Sequence, residues 1–210
     1  CFCLNEIGSV VDIDVATTTL HAENHATVDS HLRWLAVGDW GGTGNGESDK
    51  PYTTSAQWTT ARSMGQVARS IDAAFVVTTG DNFYQNGVVD VDDERFEFTF
   101  EDVYHDEALR SMPWYIVAGN HDHLGNISAQ IDYTRKSTRW NFPSEWYTKR
   151  FEMRPKHESK VVSVQFIFLD GTLFNAQYLN RPFVQVSKNY KEILKSKIQL
   201  IWLEETLIKA

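Results

Sequence analysis

Three short apolar runs recur in the first 120 residues, and each is closed by a glycine followed by ligand-type side chains. Residues 32–38 lead into Asp39-Trp40-Gly41-Gly42. Phe75–Thr79 leads through Gly80 into Asp81-Asn82-Phe83-Tyr84. Trp114–Ala118 leads through Gly119 into Asn120-His121-Asp122-His123. Short apolar runs bounded by turn residues read as buried strands. Positions just past the carboxyl ends of such strands are where open α/β sheets form sites. Between the runs the period changes. Trp58, Ala61, Met64, Val67, Ala68 and Ile71 recur at helical spacing, which predicts a helix over 55–71. A second helix is expected over 92–110, with acids early and Arg110 late, as the helix dipole prefers, and Pro113 ending it. This strand–helix alternation implies a mostly parallel sheet with right-handed crossovers.

The flanking stretches carry weaker patterns. Residues 1–30 are polar, hold five acids and no Lys or Arg, and read as an irregular acidic leader before a domain over 31–210. Residues 41–54 read as a surface loop, and 124–150 as an aromatic, loop-like stretch. Tyr147–Met153 and Val161–Leu169 read as a hairpin whose second strand is apolar enough to be covered on both faces. Residues 171–187 are expected to be a loop. A helix is expected over 189–209, with Leu194, Ile198, Ile201 and Leu200, Leu203, Leu207 on its apolar side.

Composition narrows the functional classes. The chain has 210 residues and a net charge of −8. That charge argues against nucleic acid as an electrostatic partner. It leaves phosphorylated small molecules open, since a metal can supply positive charge locally. No stretch is long and apolar enough to span a bilayer. Cys1 and Cys3 are the only cysteines and lie too near the end to staple a core. Residues 1–30 contain no secretory signal pattern.

The ligand types point to metal chemistry. Two carboxylates on neighbouring strands, Asp39 and Asp81, can share a pair of cations. A phenolate from Tyr84 is a hard anionic donor that favours ferric iron over magnesium or zinc. The Asn120 amide oxygen suits a divalent neighbour. His121 is then left to protonate a leaving group, with Asp122 close enough in sequence to orient it.

These blocks resemble the metallophosphoesterase superfamily, and the tyrosine in the second block resembles the purple acid phosphatases. The stretches from Pro113 to Asn126 and Arg139-Trp140-Asn141-Phe142-Pro143-Ser144 are similar to the small tartrate-resistant acid phosphatases of animals, over about Leu32 to Leu207. The resemblance implies an α/β fold of the αββα sandwich type with mixed sheets. It implies hydrolysis of phosphomonoesters, on small molecules or phosphoproteins, by a metal-bound hydroxide. Asp39 and Tyr84 would bind Fe(III), Asp81 would bridge, and Asn120 would bind a divalent ion: Fe(II), Zn or Mn. His121 would be the catalytic acid or hold the phosphate. Asp122 and His123 would lie behind the ligands or on the substrate side. It further implies a monomer, a secreted or lysosomal setting, and a glycan at Asn126 in Asn126-Ile127-Ser128.

The family pattern continues with a Gly-His pair and a Gly-His-x-His block. None of the seven histidines here follows a glycine. His21, His25, His31, His105 and His157 lie outside the motifs and read as surface residues. The chain also opens on Cys1 and closes inside a helical pattern without a cap. The expectation is an N-terminal part of the domain, with the C-terminal portion missing, weak divalent binding and exposed apolar faces. Asp170-Gly171-Thr172-Leu173-Phe174-Asn175 falls where the animal enzymes carry an acidic loop, and it is only weakly acidic. Two other readings stay open. One is an inactive member that binds phosphate or a partner. The other is a different metallophosphoesterase, such as a nucleotidase, a nuclease or a protein phosphatase, although Phe83-Tyr84 stands where protein phosphatases carry Asp-Arg-Gly.

Overall fold

A computed structural model describes residues 10–13, 31–43, 52–154, 160–174 and 186–210, with side chains described outside 10–13 and 186–193. Among the described residues, five strands form the first sheet: β1 (Val10–Ile13), β2 (Leu32–Val37), β3 (Phe75–Thr78), β4 (Trp114–Tyr115) and β5 (Trp140–Asn141). They lie in sequence order, with β1 antiparallel to β2 and every later pair parallel. The hairpin of β6 (Tyr147–Met153) and β7 (Val162–Phe168) forms a second, antiparallel sheet.

Aromatic side chains bring the two sheets together. Phe75 of β3 stacks on Phe151 of β6 at 4.4 Å and meets Phe166 of β7 edge-on at 5.3 Å. Trp34 of β2 also meets Phe166, at 5.1 Å. Such pairs add to the area each ring buries. A second aromatic cluster joins Trp40, Phe83, Phe96, Phe100, Tyr104, Trp114 and Trp140. Trp40 and Phe83 belong to the first and second ligand blocks, so this cluster ties both blocks to the core.

Helix α1 (Ser55–Ile71) matches its expected bounds. The Thr54 hydroxyl accepts from the Gln57 amide and caps its start. Gln57, Ala61, Met64, Gly65 and Ala68 form its buried face. The helix ends at Asp72, whose left-handed conformation (φ 54°) lets its amide reach Ala68 and Arg69.

Several elements differ from the sequence reading. The expected helix over 92–110 is broken into a π-type turn, Phe96–Glu101, and a short helix α2, Glu107–Arg110. Asp93 binds the Val89 and Arg95 amides with its carboxylate, which makes a turn instead of a first helical coil. Asp106 takes an extended backbone (ψ 135°) and caps α2 through the Ala108 amide, so no helix runs through it. The stretch read as loop over 124–150 contains α3 (Ile127–Tyr133), capped by Asn126, and β5. The third strand is laddered only at Trp114–Tyr115, although Ile116 and Ala118 remain buried.

Within the stretch read as an irregular leader, Val10–Ile13 pair with β2; the rest of residues 1–30 lie outside the described residues. Helix α4 (Val186–Ile208) starts three residues before its expected start, 189. Of the loop expected over 171–187, Gly171–Phe174 form a 3-10 turn, and 175–185 lie outside the described residues. The apolar side expected on α4 faces outward: Leu194, Ile198, Leu200, Ile201 and Leu207 are exposed. Polar contacts set its rotation instead. The Gln199 amide exchanges two hydrogen bonds with the Asp170 backbone, and Lys195 pairs with Glu145.

Candidate metal centre

The turns after β2 and β3 are interlocked by backbone. The Asp39 amide donates to the Gly80 carbonyl at 3.1 Å, and the Tyr84 amide donates to Gly41 at 3.3 Å. A Cβ on Gly41 would meet the Asn82 carbonyl at 2.2 Å, so only glycine fits this crossing. Asp39 and Asp81 themselves sit at φ 53° and 52°, a costly conformation for a residue with a Cβ. Both residues hold their carboxylates where the two turns meet.

The Tyr84 hydroxyl is shared by those carboxylates. It binds Asp39 Oδ1, and it lies 2.8 Å from Asp81 Oδ2. Burial, then the hydrogen bonds to Asp39 and Asp81 and their charges, push the phenol far above its ordinary pKa. Three oxygen donors thus converge, and among the described residues no lysine or arginine forms an ion pair with Asp39 or Asp81. Two carboxylates opposed to one phenol, without a basic partner, suit a highly charged cation. The residues therefore fit a hard ferric ion. For a neighbouring divalent ion, the same blocks offer Asp81 and Asn120.

The third block docks onto the second. The His121 amide donates to Asp81 Oδ1 at 3.0 Å, which leaves Asn120 in the turn immediately before this contact. The His121 ring lies 4.6 Å from the Tyr84 ring. Its Nδ1 lies 2.6 Å from the Gln85 carbonyl. A carbonyl only accepts, so Nδ1 carries the proton there and Nε2 is left for chemistry.

Asp122 does not orient His121, contrary to the sequence reading. Its buried carboxylate points the other way and accepts from the amides of Asn82 (3.0 Å), Phe83 (3.1 Å) and Gly119 (2.8 Å) and from Gln130 Nε2 (2.9 Å). Burial pushes its pKa up to about 6, against the lowering pull of these donors. Asp122 therefore ties the second block to the third. The imidazole's partner is a backbone carbonyl, which no side-chain motif announces.

Two further residues complete this support. Asn82 accepts from Trp40 Nε1 at 2.9 Å and donates to Val117 O and Gln130 Oε1. Gln130 of α3 thus touches both Asn82 and Asp122. Gln130 escaped the sequence reading because its segment was read as loop; the Asn126 cap was the available signal. His123 is turned away toward Asp170, with Nε2 2.6 Å from Asp170 Oδ2. Asn126 is exposed, and its side chain caps α3 while Nδ2 donates to the Val89 carbonyl.

The chain is similar to known proteins along most of its length. The chain is 42% identical over 179 residues to tartrate-resistant acid phosphatase type 5 of Oryctolagus cuniculus, covering 85% of this chain and 52% of that protein. It is 36% identical over 142 residues to purple acid phosphatase 4 of Arabidopsis thaliana, covering 67% of this chain and 38% of that protein. The chain spans about half the length of the animal relatives it matches. A solved structure titled "GAP50 the anchor in the inner membrane complex of Plasmodium" superposes with a TM-score of 0.60 at 27% identity, covering 80% of this chain and 50% of that one. The family model for calcineurin-like phosphoesterases matches residues 32–208, and the chain belongs to that family.

Proposed function

We propose that this chain carries the Asp-Asp-Tyr-Asn part of a binuclear metal site that hydrolyses phosphomonoesters, as in an acid phosphatase. The observation that carries this reading is the Tyr84 hydroxyl held between the carboxylates of Asp39 and Asp81. Asp39 and Tyr84 would hold Fe(III), Asp81 would reach both ions, and Asn120 would hold a divalent ion (Fe(II), Zn or Mn). When bound, the metal pair supplies the positive charge that acidifies water and neutralises the phosphoryl oxygens. His121 delivers the proton to the departing alcohol from Nε2, with Nδ1 fixed on the Gln85 carbonyl. From the same likeness we infer a secreted or lysosomal setting, with phosphomonoesters of small molecules or phosphoproteins as substrates.

The test is optical. Iron-loaded protein should show a visible phenolate-to-iron absorption band, and Tyr84→Phe should remove that band while the far-UV spectrum of the fold stays the same. A band that survives Tyr84→Phe refutes the ferric assignment.

A second reading is a member that binds without turnover. It is favoured by the likeness to a protein titled an anchor. Inorganic phosphate bound by the iron-loaded chain, without release of p-nitrophenol from its phosphate ester, would favour this reading.

A further inference from the structure

His123, Glu145 and Asp170 each offer one ligand atom, and all three atoms lie within 4.8 Å of one another. The group shares no residue with the centre formed by Asp39, Asp81, Tyr84 and Asn120. Its members come from three separate places: the end of the third ligand block, the segment before β6, and the end of β7. Asp170 is fully buried, and its carboxylate is fixed. Oδ1 accepts from the Thr172 amide at 3.0 Å, and Oδ2 lies 2.6 Å from His123 Nε2. Its backbone is clamped by Gln199, whose Oε1 accepts from the Asp170 amide at 2.8 Å and whose Nε2 donates to the Asp170 carbonyl at 3.1 Å. Glu145 meets the ammonium of Lys195, with Nζ 2.6 and 2.8 Å from its two carboxylate oxygens.

We propose that His123, Glu145 and Asp170 form a site for a divalent transition ion of the zinc class, with Lys195 as the ion's competitor for Glu145. A buried carboxylate must be paired or must bind a cation. Among the described residues, Asp170 meets one amide and one imidazole on its carboxylate. One imidazole nitrogen with two carboxylate oxygens is a donor set of zinc, leaving a fourth position to water. The imidazole disfavours calcium and magnesium. The bound ion would clip the third ligand block to the hairpin and to α4. The proposal does not rest on the phosphatase reading, because none of its residues takes part in that chemistry.

The experiment is equilibrium dialysis of the metal-stripped chain against zinc alone, in an Asp81→Asn background that disables the other centre. One zinc ion should bind. Glu145→Gln should weaken that binding at least about tenfold. Lys195→Met should tighten it, since it removes the competing cation while leaving all three ligands. Both changes fall on side chains that reach solvent, at 17% exposure for Glu145 and 39% for Lys195, so the fold should persist. With Co(II) in place of zinc, the visible ligand-field bands should shift on His123→Gln. Zinc affinity unchanged by Glu145→Gln would overturn the proposal. So would a weaker affinity in Lys195→Met, which would mean that the group is only a His–Asp pair beside a Lys–Glu pair. Failure of the phosphatase reading would appear separately, as hydrolysis that survives Asp81→Asn in the otherwise unaltered chain.

Discussion

Asp122 shows how one buried side chain can decide a site without touching it. Its carboxylate gathers three backbone amides and the Gln130 amide, from both loops that carry Asp81 and Asn120. Asp122→Ala leaves those donors buried without a partner, at about 1–3 kcal/mol each where water cannot reach them. The expected loss is at least about 4 kcal/mol, read as a lower urea midpoint, together with loss of the iron absorption band. A midpoint unchanged by Asp122→Ala would show that water replaces the carboxylate. His121 is the contrasting residue. Its imidazole is held by a carbonyl and leaves Asp81 to its backbone amide. His121→Ala should therefore lower turnover by about 10²–10⁴ and keep the iron band. Equal loss of both would make His121 a ligand. At this scale the sequence was informative where side chain meets side chain. Asp39, Asp81 and Tyr84 meet as their blocks suggested. The partners of His121 and Asp122 were illegible because they are backbone groups, or lie on an element the pattern did not reveal.

Elements were legible where one period ran unbroken. Helix α1 has a cap, a small-residue face and a left-handed end, and its bounds followed from spacing alone. The 92–110 stretch misled because early acids and a late Arg110 suit a helix dipole, although the backbone is not one helix. Asp106 is the residue that breaks it. Its carboxylate caps α2 and also pairs with Arg69 of α1. Gly65 of α1 is required beside it, since a Cβ there would lie 2.5 Å from the Asp106 carboxylate. Asp106→Ala should cost about 1 kcal/mol for the lost cap. The Arg69 guanidinium, first, and the Ala108 amide hold the Asp106 carboxyl below its ordinary 3.8. The folded state therefore binds this proton less readily than the unfolded one. The contribution is complete above about pH 4 and fades as pH falls through the lowered value. Denaturation of wild type and Asp106→Ala across pH 2.5 to 5 should show two curves that converge toward acid. A gap that stays constant would exclude the carboxylate as its source.

At the scale of the whole molecule, the orientation of α4 agrees with the expectation of exposed apolar faces. Leu194, Ile198 and Ile201 fall on one stripe by helical spacing, and such a stripe ordinarily faces the core. Here the docked side carries buried Gln199, with Lys195 and half-buried Trp202 and Leu203 near it, while the stripe is 46–59% exposed. Gln199 satisfies the backbone on both sides of Asp170, and turning the stripe inward would break those bonds in a buried setting. Local polar satisfaction thus outweighs apolar burial at this helix. The consequence is an apolar surface in contact with water, which promotes association. This chain should bind a hydrophobic fluorescent dye and sediment increasingly fast as its concentration rises. Leu194→Glu with Ile201→Glu should reduce both effects and leave the Lys195–Glu145 pair and the Gln199 bonds in place. The expected change in folding stability is small, because neither side chain leaves a packed position. If the double substitution instead lowers folding stability, measured by urea denaturation, by more than about 2 kcal/mol, the stripe is buried in solution and α4 docks by its apolar side after all.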